Sequence, residues 1–357
     1  MIIYIHAGLH KTGTTAIQNY AYKYRKILSE KGILYPLIYR SIFRADKAHH
    51  HFAHTFSSQK ISPPISDAKK LIYSWTTKAR RRGLNLLLSA EPFCRHTYKA
   101  NDSTWIKARY DYLERLASIL PIEQIRIILT LRRQDDFVQS LYKENVMKGL
   151  TPAAKMDFKE FTLEAQKRNL RFHENILAFK KFFPNVQILI YEQLRNGDLP
   201  VNFFRALGIS GLPNSEGAIR VSLTNQEVAL KRALNHQVCS KEQNNQLLKW
   251  LKSPYTQNII KNLIPKIPSL WISQEERETF LKQYSQENEL IRKQFFTNQA
   301  RLFPPLISAK EALRFSGNIH WDDGIKKSIE RLSPDLQKLF GSDGLRQIQK
   351  KLSSQTI

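Results

Sequence analysis

Residues 6–15 read HAGLHKTGTT, a stretch of glycines, threonines and a lysine that suits an anion. Gly8 and Gly13 are spaced as in the G-x-x-x-x-G-K-[ST] loop that cradles nucleotide phosphates. The lysine of that loop should follow the second glycine. Thr14 stands there instead, and Lys11 lies inside the loop. An apolar run precedes the glycines and a helical spacing follows them, so the loop opens onto a helix N-terminus. Backbone N–H groups and the helix dipole favour negative charge at such a place. Thr12, Thr14 and Thr15 add hydroxyl donors, and Lys11 adds a mobile point charge. At the crest of the loop a lysine reaches the outermost group of a ligand shorter than a triphosphate, close to a bond being broken. The plainer alternative for Lys11 is a solvated loop lysine.

The elements that must position this loop are legible in the apolar pattern. Ile2–His6 predicts a first strand. Ile17, Tyr20, Tyr24 and Leu28 fall at helical spacing, with Gly32 as the stop. GILYP at 32–36 is a short extended piece, and 40–66 reads as irregular, rich in His, Ser and Pro. A helix is expected over 67–82, a strand over Asn85–Ser89, a helix over 104–119 and a strand over Ile125–Leu131. Another helix begins near Asp135, a further one covers 170–183, and Val186–Tyr191 forms a fourth long strand. Near-continuous apolar strands, each followed by a helix, mark parallel strands covered on both faces. Beyond about 200 the pattern is helical, at 224–251, 273–296 and 321–352. The expected class is α/β: a P-loop-type parallel sheet flanked by helices over about 1–210, a helical part over about 211–305, and a helical, Lys-rich tail over 306–357.

With 357 residues, 42% of them hydrophobic, the chain can bury a real core. Its 56 Lys and Arg against 31 Asp and Glu give a net charge of +25, which attracts polyanions: nucleic acid, anionic lipid or acidic glycans. The two cysteines, Cys94 and Cys239, form neither a disulfide framework nor a thiolate zinc site. The apolar run at Met1–Lys11 is too short to be expected as a signal peptide, and no run of 18 apolar residues suggests a membrane span. A cytoplasmic protein is expected, with peripheral contact to an anionic membrane face permitted by the charge.

KTGTT at 11–15 resembles the 5′-phosphosulfate loop of sulfotransferases that use 3′-phosphoadenosine 5′-phosphosulfate (PAPS). A second motif of that family is an arginine after a later strand with a serine eight residues on, both binding the 3′-phosphate. LRRQDDFVQSLY supplies Arg132 and Ser140 at that spacing. An arginine gives a phosphate a bidentate fork, and Ser140 lies two turns into the following helix. With HAGLHKTGTTAIQ, SAEPF and IYEQL, the chain is most similar to bacterial carbohydrate-type sulfotransferases over residues 1 to about 210, and more loosely to about 305. The resemblance implies transfer of a sulfuryl group from PAPS to a hydroxyl or amine of a glycan or lipid-linked saccharide, an acidic one included. It implies Lys11, Thr12, Gly13, Thr14, Thr15, Arg132 and Ser140 as the PAPS contacts. A sulfuryl group carries less charge than a phosphoryl group, so no metal is expected.

Such a transfer needs a base for the acceptor proton. The segment KAHHHFAHTF offers His49, His50, His51 and His54, in the region after the first helix where several glycan- or protein-directed members carry their Glu or His base. Glu91, in LLLSAEPF, is the second offer, where cytosolic members carry a histidine after a comparable strand. His50 or His51 is slightly favoured, with Glu91 as base or acceptor-orienting group. The competing readings are a surface run for the histidines, and a helix cap or partner of Arg95 for Glu91. His50 and His54 share the i,i+4 spacing of a metal pair but have no carboxylate or cysteine nearby in sequence. Tyr191 and Glu192 resemble a family pair of structural rather than catalytic use. Arg80–Arg82, Lys143, Lys148 and the basic run over 167–181 suit either an acidic substrate path or a solvated face. Two rival functions are weighed. A P-loop kinase needs a Walker-B aspartate at a strand end, and these strands end in YE and RR. A nucleic-acid-binding protein needs a recognisable module, and none is visible, so no nucleic acid is expected.

Overall fold

The computed structural model describes residues 1–9, 11–41, 44–58, 62–98, 105–165, 170–216, 223–264, 269–306 and 321–354. Seven strands occur among them. β1 (Ile3–His6), β2 (Ile33–Leu34), β5 (Asn85–Ser89), β6 (Ile125–Leu131) and β7 (Asn185–Ile190) form one sheet in the order β2-β5-β1-β6-β7. Every pairing in it is parallel. β3 (Ile38–Ser41) and β4 (Arg44–Asp46) form a separate antiparallel hairpin.

Alternation along the strands feeds two cores. Ile3, Ile5, Leu86, Leu88, Ile127 and Leu129 face one side, under the helices Ile65–Arg81, Trp105–Ala117 and Phe172–Phe182. Tyr4, Leu87, Ile128 and Leu189 face the other, under Thr14–Lys23, Arg25–Glu30 and Leu199–Ala206. Burial on both faces is why these strands read as unbroken apolar runs. β1 is central, and the crossovers leaving β1 and its neighbour β6 run to opposite edges of the sheet. The C-terminal ends of two such strands bound the crevice in which open α/β sheets take their ligands.

The first helix is shorter than its spacing predicts. It breaks at Tyr24 (φ −99°, ψ 21°), and a second helix starts at Arg25. The irregular reading of 40–66 yields to part of the β3–β4 hairpin and the short helix His50–His54. Leu199–Ala206, with Asp198 as its N-cap, and Pro254–Leu263 were not anticipated by periodicity.

The chain divides into two compact units, and not in sequence order. The first comprises Met1–Gln134, Lys167–Ile219 and Tyr284–Pro304, and the second Asp135–Gln166, Arg220–Gln283 and Pro305–Ile357. The expected division at about 210 and 305 therefore differs from the observed one. From Asp135 onward the helix after β6 belongs to the second unit, and Tyr284–Pro304 belongs to the first. Among the described residues no helix is long and apolar enough to cross a membrane.

Within the second unit, Lys231 is fully buried and its ammonium donates to the side-chain carbonyls of Asn235 and Asn244. Those asparagines donate in turn to the main-chain oxygens of Val146, Ala154 and Met147, around the C-terminus of the Gln134–Lys148 helix. Burial lowers the Lys231 pKa to about 7, below its value in the unfolded chain. The unfolded state then binds more protons between pH 7 and about 10.4, so this unit gains stability as pH rises through that window. Denaturant titrations of the full chain at pH 7 to 10 should show that rise, and Lys231→Met should flatten it.

Candidate functional site

The loop after β1 lies at the C-terminal edge of the sheet's central strand. Gly13 is the N-cap of the Thr14–Lys23 helix at φ 79°, and a Cβ there would approach Leu199 Cδ1 to 2.7 Å. Only glycine meets both demands. Gly8 is as tightly placed: a Cβ on it would stand 2.6 Å from Thr14 Oγ1 and 2.9 Å from His6 Nε2. Lys11 takes φ 65°, the only described non-glycine residue in the left-handed region. Thr12 is fully buried, and its hydroxyl donates to the Leu9 carbonyl at 2.6 Å. Thr14 Oγ1 is buried without a hydrogen-bond partner at the first turn of the helix. Thr15 is exposed on the same turn. We expect Gly8→Ala to cost about 1–3 kcal/mol through the enforced shift of this floor, read as a fall in thermal midpoint.

Arg132 follows β6, the neighbour of β1. Its guanidinium donates to the Lys11 carbonyl at 2.9 Å and stacks over the Tyr191 ring at 4.8 Å from the centroid. Its Nε is buried without a partner. Glu192 accepts from the Arg133 main-chain N–H at 3.0 Å, and Arg133 donates to the Pro304 carbonyl at 3.1 Å. Tyr191 and Glu192 thus hold the segment that carries Arg132. Ser140 is half-buried on the Gln134–Lys148 helix, in the second unit.

On the other side of β1, the residues weighed as rival bases meet. His50 Nε2 lies 2.5 Å from Glu91 Oε2. The carboxylate is largely buried, at 13% side-chain exposure, while the imidazole is 45% exposed. Burial alone would raise the Glu91 pKa. The hydrogen bond and charge of His50, a backbone N–H and the Gln18 amide overcome it and hold the carboxyl at about 2. A carboxylate fixed as an anion against Nε2 keeps a proton on that nitrogen and leaves Nδ1 as the acceptor, the carboxylate–imidazole logic of acyl-transfer triads. Glu91 occupies the N-cap position of the Pro92–Arg95 helix, but its side chain makes no capping hydrogen bond there. His51 lies half-buried on the same short helix as His50.

His49 has a different role from its neighbours. The Ser89 N–H donates to its Nδ1 at 2.9 Å, so its proton sits on Nε2 and is given to the Pro36 carbonyl at 2.9 Å. The His49 N–H donates to the Ser89 carbonyl at 2.9 Å. Burial lowers its pKa to about 4 and keeps it neutral. These bonds pin the start of the His50–His54 helix to the end of β5, which also presents Glu91. His54 packs its ring 4.8 Å from that of His96. Among the described residues no group of three or more His, Cys, Asp or Glu gathers as a metal site requires.

Three further residues complete the frame. Gln18, buried on the loop's helix, donates to Ser89 Oγ at 3.3 Å and to Glu91 Oε2 at 3.4 Å. His6 Nδ1 lies 2.9 Å from Ser89 Oγ. Its burial outweighs the nearby Glu91 charge and lowers its pKa to about 4. Arg109, fully buried, donates to the carbonyls of Phe93 (2.6 Å) and His96 (2.8 Å) and to Asn175 Oδ1 (3.2 Å), which fixes the turn after Glu91. The available signal for Gln18 was a polar residue on the buried stripe of Thr14, Ile17 and Ala21.

Two pairs, Arg132 with the Lys11 carbonyl and His50 with Glu91, thus lie at the C-terminal ends of three adjacent strands, β5, β1 and β6, and Gln18 on the loop's helix reaches the second pair. The loop can hold an anion over a helix N-terminus, and the His50–Glu91 pair can act as a general base at the same edge of the sheet. Compared with models of known protein families the chain matches none, and no curated protein is significantly similar to it.

Proposed function

We propose that this protein is a sulfotransferase that moves a sulfuryl group from PAPS to a hydroxyl or amine of a glycan or glycolipid-type acceptor. The observation that carries the reading is the junction of Lys11 and Arg132. One residue's carbonyl accepts from the other's guanidinium at 2.9 Å, so the loop and the arginine of the second motif, about 120 residues apart in sequence, meet, which supports a shared phosphate cradle. The buried, unpartnered Thr14 Oγ1 and Arg132 Nε fit a phosphate-bearing ligand, because buried polar groups are otherwise satisfied.

PAPS supplies the sulfuryl group and leaves as adenosine 3′,5′-bisphosphate. The loop N–H groups and Thr14 bind the 5′-phosphate, and Arg132 forks the 3′-phosphate. The Lys11 ammonium neutralises the charge that grows on the 5′-phosphate oxygen as the S–O bond breaks. His50 Nδ1 takes the proton of the acceptor hydroxyl as its oxygen bonds to sulfur. Glu91 orients the imidazole and stabilises its protonated form. Positioning and charge stabilisation do most of the work, as in phosphoryl transfer. The smaller charge on the sulfuryl group lessens the need for a divalent cation.

Calorimetric titration with adenosine 3′,5′-bisphosphate, ATP·Mg²⁺ and single-stranded DNA tests the reading. Tight binding of the bisphosphate in the presence of a chelator is expected. Stronger binding of ATP·Mg²⁺, or of DNA alone, would overturn it.

A further inference from the structure

A parallel sheet with helical crossovers gathers the last turns of the preceding helices at one place, the N-terminal edge of the strands. In this chain those turns are cationic. Lys31 closes the helix before β2; Arg80, Arg81 and Arg82 end the helix before β5; Lys180 and Lys181 end the helix before β7. All six are exposed, and none is in an ion pair with a described residue. Glu30, in the turn before β2, and Glu114 and Glu123, in the two turns before β6, are exposed acids at the same edge. Arg82 donates to Ser29 Oγ at 2.8 Å, which ties the ends of the two helices that lead into β2 and β5.

Cations in last turns complement helix dipoles, but that effect asks for one or two per helix and not for three consecutive arginines. A second feature marks the edge. Ile122, in the turn that leads into β6, is 39% exposed. β6 lies two strands, roughly 10 Å, from β5 in the sheet, so Ile122 and the arginine turn share its N-terminal edge.

We propose that this edge docks the protein on an anionic lipid bilayer. Lysine and arginine at a membrane face are drawn to acidic headgroups, and an isoleucine among them gains by entering the headgroup–acyl boundary. A nucleic acid or an acidic polysaccharide would use the cations but has no use for Ile122. The functional site is at the opposite, C-terminal edge of the same strands, so docking leaves it uncovered. The inference does not depend on the chemistry proposed for that site.

The test is co-sedimentation of the full chain with phosphatidylcholine vesicles, with and without 30% phosphatidylserine (roughly the anionic content that gives a useful surface potential). A parallel arm measures retention on immobilised heparin. Binding to the anionic vesicles alone, released by salt, is expected. The triple variant R80Q/R81Q/R82Q should lower vesicle partitioning by about 100-fold. A control that removes the same charge elsewhere, K241Q/K249Q/K261Q, should lower it far less. Ile122→Ser should weaken vesicle binding several-fold and leave heparin retention unchanged. Circular dichroism checks that each variant is folded. Absence of binding to anionic vesicles at low salt overturns the proposal, as does equal loss in the triple variant and the control. An Ile122→Ser variant that matches the wild type on vesicles would mean that the edge is a general polyanion surface, and the bilayer would be the wrong occupant.

Discussion

Arg132→Ala is expected to weaken binding of adenosine 3′,5′-bisphosphate by about 100-fold, the ~3 kcal/mol that loss of a charge-assisted, bidentate phosphate contact costs. The size of the effect follows from two losses at once. The fork toward the ligand disappears, and so does the 2.9 Å bond to the Lys11 carbonyl that braces the loop. Arg132→Lys keeps the charge but can neither fork nor stack on Tyr191 as a plane, so it should recover little of the affinity. Calorimetry on the three proteins checks this. An alanine variant that binds like the wild type would remove Arg132 from the cradle. The same result with Lys11→Ala would remove the loop as well.

The second large effect concerns the base. His50→Ala should lower turnover with PAPS and a competent acceptor by about 10²–10⁴-fold, with bisphosphate binding nearly unchanged. Glu91→Gln should cost less, because the imidazole remains, and the double variant should be little worse than His50→Ala alone. Residues that act as one unit are non-additive in this way. Glu91 stays ionised down to about pH 2, so its own protonation cannot explain any loss of activity near pH 5. Its pKa is depressed from the ordinary 4.5, so its pairing contributes stability fully above pH 4.5, and that contribution is lost as pH falls toward 2. If Glu91→Gln and His50→Ala multiply independently, the two do not form one acid–base unit.

What could be read before folding depended on how local its cause was. Asn85–Ser89 and Ile125–Leu131 fall where their apolar runs place them, because burial on both faces writes itself into consecutive residues. The His50–Glu91 pair is separated by 41 positions, and both residues were visible as candidates while their contact was not. His49 is more instructive. It stands in the same run of histidines as His50, yet it is neutral, buried and bonded to Ser89 and Pro36, and no spacing rule separates the two neighbours. Arg109 is similar. In the sequence it sits on an amphipathic helix among charged residues, and only the carbonyls it reaches at Phe93 and His96 reveal an inward-facing cation. The unit boundary at Gln134 falls at the first residue of the helix after β6, where the spacing shows an element starting but not that the chain changes unit.

The backbone of Lys11 bears on how this loop could be engineered. A residue with a Cβ held at φ 65° pays about 1 kcal/mol that glycine would not. Selection for thermal endurance alone would therefore favour Lys11→Gly, a more durable protein without its ammonium. In the reading proposed here, the same exchange removes the charge over the breaking bond. Durability and turnover would then be opposed at a single position, so a search for hardier variants that leaves this codon free would be expected to recover inert ones first.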